Sequence, residues 1–159
     1  MADRPSPEEI ALWQRRLAAQ ANNRAWRLSE SLERTSEDDE EMLQAAYASN
    51  YFWRIVGTEN NKAHAAQLLA HVHALLGRPT DATRYWSQAE PVFLGRECQP
   101  WERACAFAIK ASVASAAGQR DVHSSSYAEA ERLIAALPDP EDREILYATL
   151  RVVPRPSEA

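Results

Sequence analysis

Apolar side chains recur every three to four residues along almost the whole chain, and no useful stretch alternates with the period of a strand. Ile10, Trp13, Leu17, Ala21, Leu28 and Leu32 follow that helical spacing. Before them, Ser6, Pro7 and Glu9 supply a capping hydroxyl, a proline suited to the first helical position and the carboxylate of a capping box. The pattern predicts one long helix to about Arg34, with Asn22-Asn23 as its weak point. Thr35-Ser36 starts a second helix. The acidic run Glu37–Glu41 suits the positive end of its dipole. Met42, Leu43, Ala46, Tyr47, Asn50, Trp53 and Val56 carry it to Gly57, read as a C′ residue. Thr58 caps a third helix, Glu59 to Leu76, stopped by Gly77. Pro79 and Asp81 open a fourth through Ala82, Tyr85, Trp86, Ala89 and Phe93, in which Pro91 is expected to kink or end the helix. After the loop 94–100, a fifth helix runs from Trp101 to Ala117 and stops at Gly118. A sixth runs from about Arg120 to Leu137. A short seventh follows Asp139-Pro140 and carries Ile145, Leu146 and Leu150.

Helices of this length joined by short turns must pack as antiparallel neighbours. Two of the hairpins superpose on each other. Gly77 and Gly118 each divide a helix pair, with Trp86 and Tyr127, Ala89 and Ala130, and Ala70 and Ala111 at matching offsets. Leu69, Ala70, Gly77, Ala82, Trp86 and Ala89, then Phe107, Ala111, Gly118, Tyr127 and Ala130, resemble the tetratricopeptide (TPR) repeat. Ala66, His73 and Leu94 stand where that pattern has Trp, Tyr and Pro, and Lys110, Ala114 and His123 depart from it in the second copy. Between Tyr47 and Glu144 the chain is also similar to a set of uncharacterised bacterial TPR-like proteins, through W-x-x-V-G-T-x-x-N, LL-x-x-V-x-A-x-LGR and DPEDRE. The resemblance implies an all-α fold of about seven helices, stacked hairpins in a short right-handed solenoid. It implies no activity. Residues 6–150 are expected to form the domain, with disordered ends at 1–5 and 151–159.

Composition narrows the function classes. The 159 residues, 45% apolar and 26% charged, suit one soluble domain with a sizeable core. A net charge of −5, with basic residues dispersed among acids, offers no surface for nucleic acid. The N-terminus has no apolar signal-peptide region and no segment is long and apolar enough to span a membrane. Cys98 and Cys105 make no disulfide framework, so a cytoplasmic protein with reduced thiols is expected.

Candidate chemistry concentrates on the third helix. Asn60, His64, Gln67 and His71 fall on one stripe. In the TPR register that stripe lines the inner groove, and Ser112 and Ser115 extend it on the fifth helix; the competing reading is a plainly solvated helix face. His64 and His71 are too far apart to share a metal, and His71 and His73 point to different sides, so no metal site or cofactor is expected. His73 replaces the pattern's Tyr and is read as a packing residue, and Cys105 as core. The leading function is a noncatalytic module that binds a peptide or partner protein in the groove, self-associates, or both. Trp13 and Trp26, near one end of the solenoid, are the anchors for self-association. The alternative is a small-molecule binder or enzyme with an enclosed pocket around Tyr47, Asn50, Asn61 and His64, where a histidine acts as general base.

Overall fold

The computed structural model describes residues 4–157, all-helical in its regular structure, with seven helices and no strand among them. They are α1 (Pro7–Ser29), α2 (Ser36–Val56), α3 (Glu59–Leu75), α4 (Pro79–Phe93), α5 (Pro100–Ala116), α6 (Arg120–Ala135) and α7 (Pro140–Arg151). Capping boxes begin α1 at Ser6 and Glu9, α2 at Thr35 and Asp38, and α3 at Thr58 and Asn61. Gly77 and Gly118 adopt φ of 67° and 71°, the left-handed conformation of a helix C′ residue. At Gly77 the next two amides fold back on α3: Gly77 N–H donates to Ala74 O and Arg78 N–H to His73 O. Gly118 and Gln119 repeat this on Ser115 and Ala114.

Three boundaries differ from expectation. α1 ends at Ser29 rather than near Arg34, because the buried Ser29 hydroxyl donates to Trp26 O and Arg34 turns back to Ser31 O and Asp39. Asn22-Asn23 leaves α1 continuous. Gly57 has φ −86°, not a left-handed conformation. Its lack of a side chain serves close approach instead: a Cβ there would lie 2.6 Å from Trp53 O and 2.9 Å from Asn61 Cβ. Pro91 does not end α4 at once. It sits in the last turn, where only one amide is lost before the cap at Leu94.

Helices α1/α2, α3/α4 and α5/α6 form the closest pairs. α1, α3, α5 and α7 touch in succession and make one layer, with α2, α4 and α6 packed across the gaps behind it. Alanine lets the central helices approach: Ala65, Ala66 and Ala70 on α3 and Ala104, Ala108 and Ala111 on α5 are all buried. Phe93, Met42, Leu68, Leu69, Ile109 and Ile134 fill the space between. The expected disordered ends lie partly outside the described residues. Within them, the chain after α7 continues to pack: Val153 belongs to the core and Pro154 O accepts from His123 Nε2 at 2.7 Å. No described helix is long and apolar enough to cross a membrane.

Candidate functional site

The polar stripe of α3 exists, but most of it faces α5 rather than an open groove. Asn60 Nδ2 donates to Glu102 Oε1 at 3.0 Å, and His64 Nε2 pairs with the same oxygen at 2.9 Å. Gln67 Nε2 lies 3.5 Å from Cys105 Sγ, and His71 Nδ1 lies 3.0 Å from Ser112 Oγ. Asn60 and His64 share Glu102, Gln67 is answered one turn further along α5 and His71 two turns beyond that, and the row is a ladder along the α3–α5 seam. Gln67 and His71 are 1% and 0% exposed. His71 is sealed from any open groove and Gln67 meets open space only where it borders a pocket, so the reading of this face as solvated fails. Helical spacing puts the four on one face; only the position of α5 decides what covers it.

Burial sets the electrostatics of the seam. Burial, with a smaller push from Arg34, lowers the His71 pKa to about 3, so the ring is neutral. Burial raises the Cys105 thiol to about 12, which removes it as a nucleophile. Burial also opposes ionisation of Glu102, but hydrogen bonds from Asn60, His64 and the Gln99 amide outweigh it and hold the carboxyl below its ordinary range. Glu102 therefore stays a carboxylate that orients His64 through Nε2, leaving Nδ1 as the ring nitrogen it does not engage.

Beside this seam the layer of α1, α3, α5 and α7 opens into a pocket of about 520 Å³. α1 contributes Trp26 and its C-cap residue Glu30, α2 Trp53, α3 Asn61, His64 and Gln67, α5 Trp101, and α7 Asp142, Ile145 and Thr149. Trp26 stacks on His71 at 5.8 Å between ring centroids, and Trp101 stacks on His64 at 5.5 Å with the planes 11° apart. The ladder histidines thereby fix two of the three tryptophans. Gln67 borders the pocket, and its buried Oε1 has no hydrogen-bond partner. Burial raises the Glu30 pKa against the opposing charge of Arg151.

A second cavity, of about 490 Å³, lies towards the C-terminal ends of the same four helices. Ser112 and Ser115 border it together with Arg34, Arg151 and Arg155. The six residues expected to line one groove are therefore divided. His64 and Gln67 reach the tryptophan pocket, Ser112 and Ser115 the arginine cavity, and His71 is sealed between them. Asn60 borders a separate depression with Arg96 and Cys98.

The alternative pocket is also divided. Tyr47 and Asn50 border a depression beside Tyr85, whereas Asn61 and His64 border the tryptophan pocket. Tyr47 leans on its neighbours instead: its hydroxyl is 2.9 Å from His73 Nε2, and His73 stacks on Tyr85 with the planes 5° apart. His73, 1% exposed, is a packing residue. Among the described residues no three His, Cys, Asp or Glu side chains are placed to hold a metal ion.

The sequence pattern places Trp26, Trp53 and Trp101 on three different helices, but their convergence on one pocket is not legible in it. Glu30 stands in a helix-end segment that carried no signal, and Asp142 was marked only as part of DPEDRE, with nothing in that motif to place it at a pocket. No protein-family model, curated protein or solved structure matches this chain.

Proposed function

We propose that the protein is a noncatalytic binding module of TPR-like organisation that takes a peptide segment of a partner protein along the layer of α1, α3, α5 and α7. The observation that carries this reading is the convergence of Trp26, Trp53 and Trp101, from three different helices, on one partly open pocket. Tryptophan is enriched among residues that dominate binding energy, because it offers a large rigid surface at low entropic cost. Two cavities in series, one bordered by Glu30 and Asp142 and the other by Arg34, Arg151 and Arg155, suit an extended chain better than a single compact molecule. Self-association belongs to the same proposal: α1 leaves Ile10, Trp13 and Leu17 between 40% and 50% exposed on one face.

Trp101 is the residue to test, since it is 40% exposed and walls the pocket without filling the core. Trp101→Ala should reduce capture of partner from the native host by at least about tenfold, the loss typical of one interface anchor. Its circular dichroism should stay helical. Undiminished capture by the folded variant would rule out the pocket as the binding surface. An enzymatic reading has one supporting contact, the Glu102-oriented His64; turnover lost in His64→Gln would favour it over the binding reading.

A further inference from the structure

The tryptophan pocket is polar in a particular way. Its bordering charged side chains are the carboxylates of Glu30 and Asp142, and no Lys or Arg borders it. Neither carboxylate is engaged in an ion pair among the described residues. Gln67 Oε1, at the buried side, is an acceptor with no donor. Trp26 and Trp101 are held by stacked histidines, and Trp53 adds a third indole. The unpaired charges bordering this pocket are thus both negative, and its walls are the aromatic type that attracts cations most strongly. An anionic ligand would meet two carboxylates. A purely apolar one would strand Gln67 Oε1 and desolvate Glu30 further, which burial already makes costly to ionise.

We infer that the pocket selects a primary ammonium group carried on an apolar stem, with its N–H donors met by Gln67 Oε1, its charge by Glu30 and Asp142, and its stem by Trp26, Trp53 and Trp101. This rests on the binding reading above and specifies what enters the pocket. The same chemistry comes from a lysine side chain of a partner peptide or from a free organic amine. The arginines of the neighbouring cavity exclude the ammonium from that site and confine it to the tryptophan pocket.

Tryptophan fluorescence and calorimetry on the full chain test the inference with three probes of similar size: phenethylamine, 2-phenylethanol and 3-phenylpropionate. Phenethylamine should bind about tenfold tighter than the alcohol, the gain expected of a charge-assisted hydrogen bond combined with cation–π attraction. 3-Phenylpropionate should bind more weakly than either. Added salt should weaken the amine and spare the alcohol. Glu30→Gln combined with Asp142→Asn keeps the shape of the pocket and should abolish the preference for the amine. N-acetyl-lysine methylamide and its Nε-acetylated form separate the sources: tighter binding of the capped lysine than of phenethylamine assigns a partner lysine, and the reverse assigns a free amine. Equal binding of amine and alcohol, a preference surviving in the double variant, or binding of none of the probes overturns the inference. Equal binding quenched through the tryptophans would leave the pocket itself as a binding site, and the Trp101→Ala capture experiment decides that reading separately.

Discussion

At the scale of single residues, the buried histidines carry the clearest physical consequence. His71 has a folded-state pKa of about 3, against about 6.5 for the exposed side chain. Between those values the unfolded chain binds a proton that the folded chain refuses, so stability rises with pH there. The contribution is complete above about pH 6.5 and is lost as pH falls, at a slope of about 1.4 kcal/mol per pH unit. Glu102, lowered in the native state, acts in the same direction below its ordinary range. Glu30, raised by burial, acts in the opposite one. Urea unfolding at several pH values should show His71→Phe combined with Ser112→Ala flattening the profile between pH 4 and 6 by about one proton's worth. An unchanged slope would place the acid sensitivity elsewhere. Replacing both residues avoids leaving the partner hydroxyl without its mate.

At the scale of elements, helix starts were readable and some helix ends were not. Ser6, Thr35 and Thr58 act through bonds within four residues of sequence, which is why local pattern locates them. The end of α1 depends on Ser29 being buried and on Arg34 reaching Asp39, both products of packing. The glycines show the same division. A Cβ at Gly77 meets nothing within 4 Å, so Gly77→Ala should cost only the backbone strain of a positive φ, about 1 kcal/mol by denaturant titration. At Gly57 the strain is absent and the collision with Trp53 O is severe. Gly57→Ala should therefore destabilise the protein more than Gly77→Ala, and should shift the fluorescence of Trp53. The reverse ranking would mean that the α2–α3 junction relaxes at little cost.

At the scale of the whole molecule, the layered arrangement gives α3 and α5 neighbours on nearly every side and leaves α1 with one open face. That difference explains why one helix holds buried histidines while another exposes Trp13 at 50%. Light scattering should report a concentration-dependent dimer that Trp13→Glu converts to a monomer, since a charge at the centre of an apolar contact is strongly unfavourable. A wild-type chain that stays monomeric at high concentration would remove the α1 face as a self-association surface. The tryptophan pocket has the converse property. It assembles Trp26, Trp53, Trp101 and Asp142 from α1, α2, α5 and α7, and no window of sequence contains that set.

The sequence by itself determined the helix starts at Ser6, Thr35 and Thr58, the turns at Gly77 and Gly118 and the all-α class, because each rests on hydrogen bonds and apolar spacing within one or two turns of chain. It also placed Asn60, His64, Gln67 and His71 on one face, a consequence of the helical repeat alone. What covers that face was decided by tertiary structure: α5 lies over it, which buries Gln67 and His71 and turns an expected groove into a ladder. The same packing separated Tyr47 and Asn50 from Asn61 and His64, and gathered three distant tryptophans with two carboxylates around an unpaired acceptor. Helical periodicity specifies the angle of a side chain about its own axis; only the neighbouring helices decide whether that angle meets water, a partner side chain or a pocket.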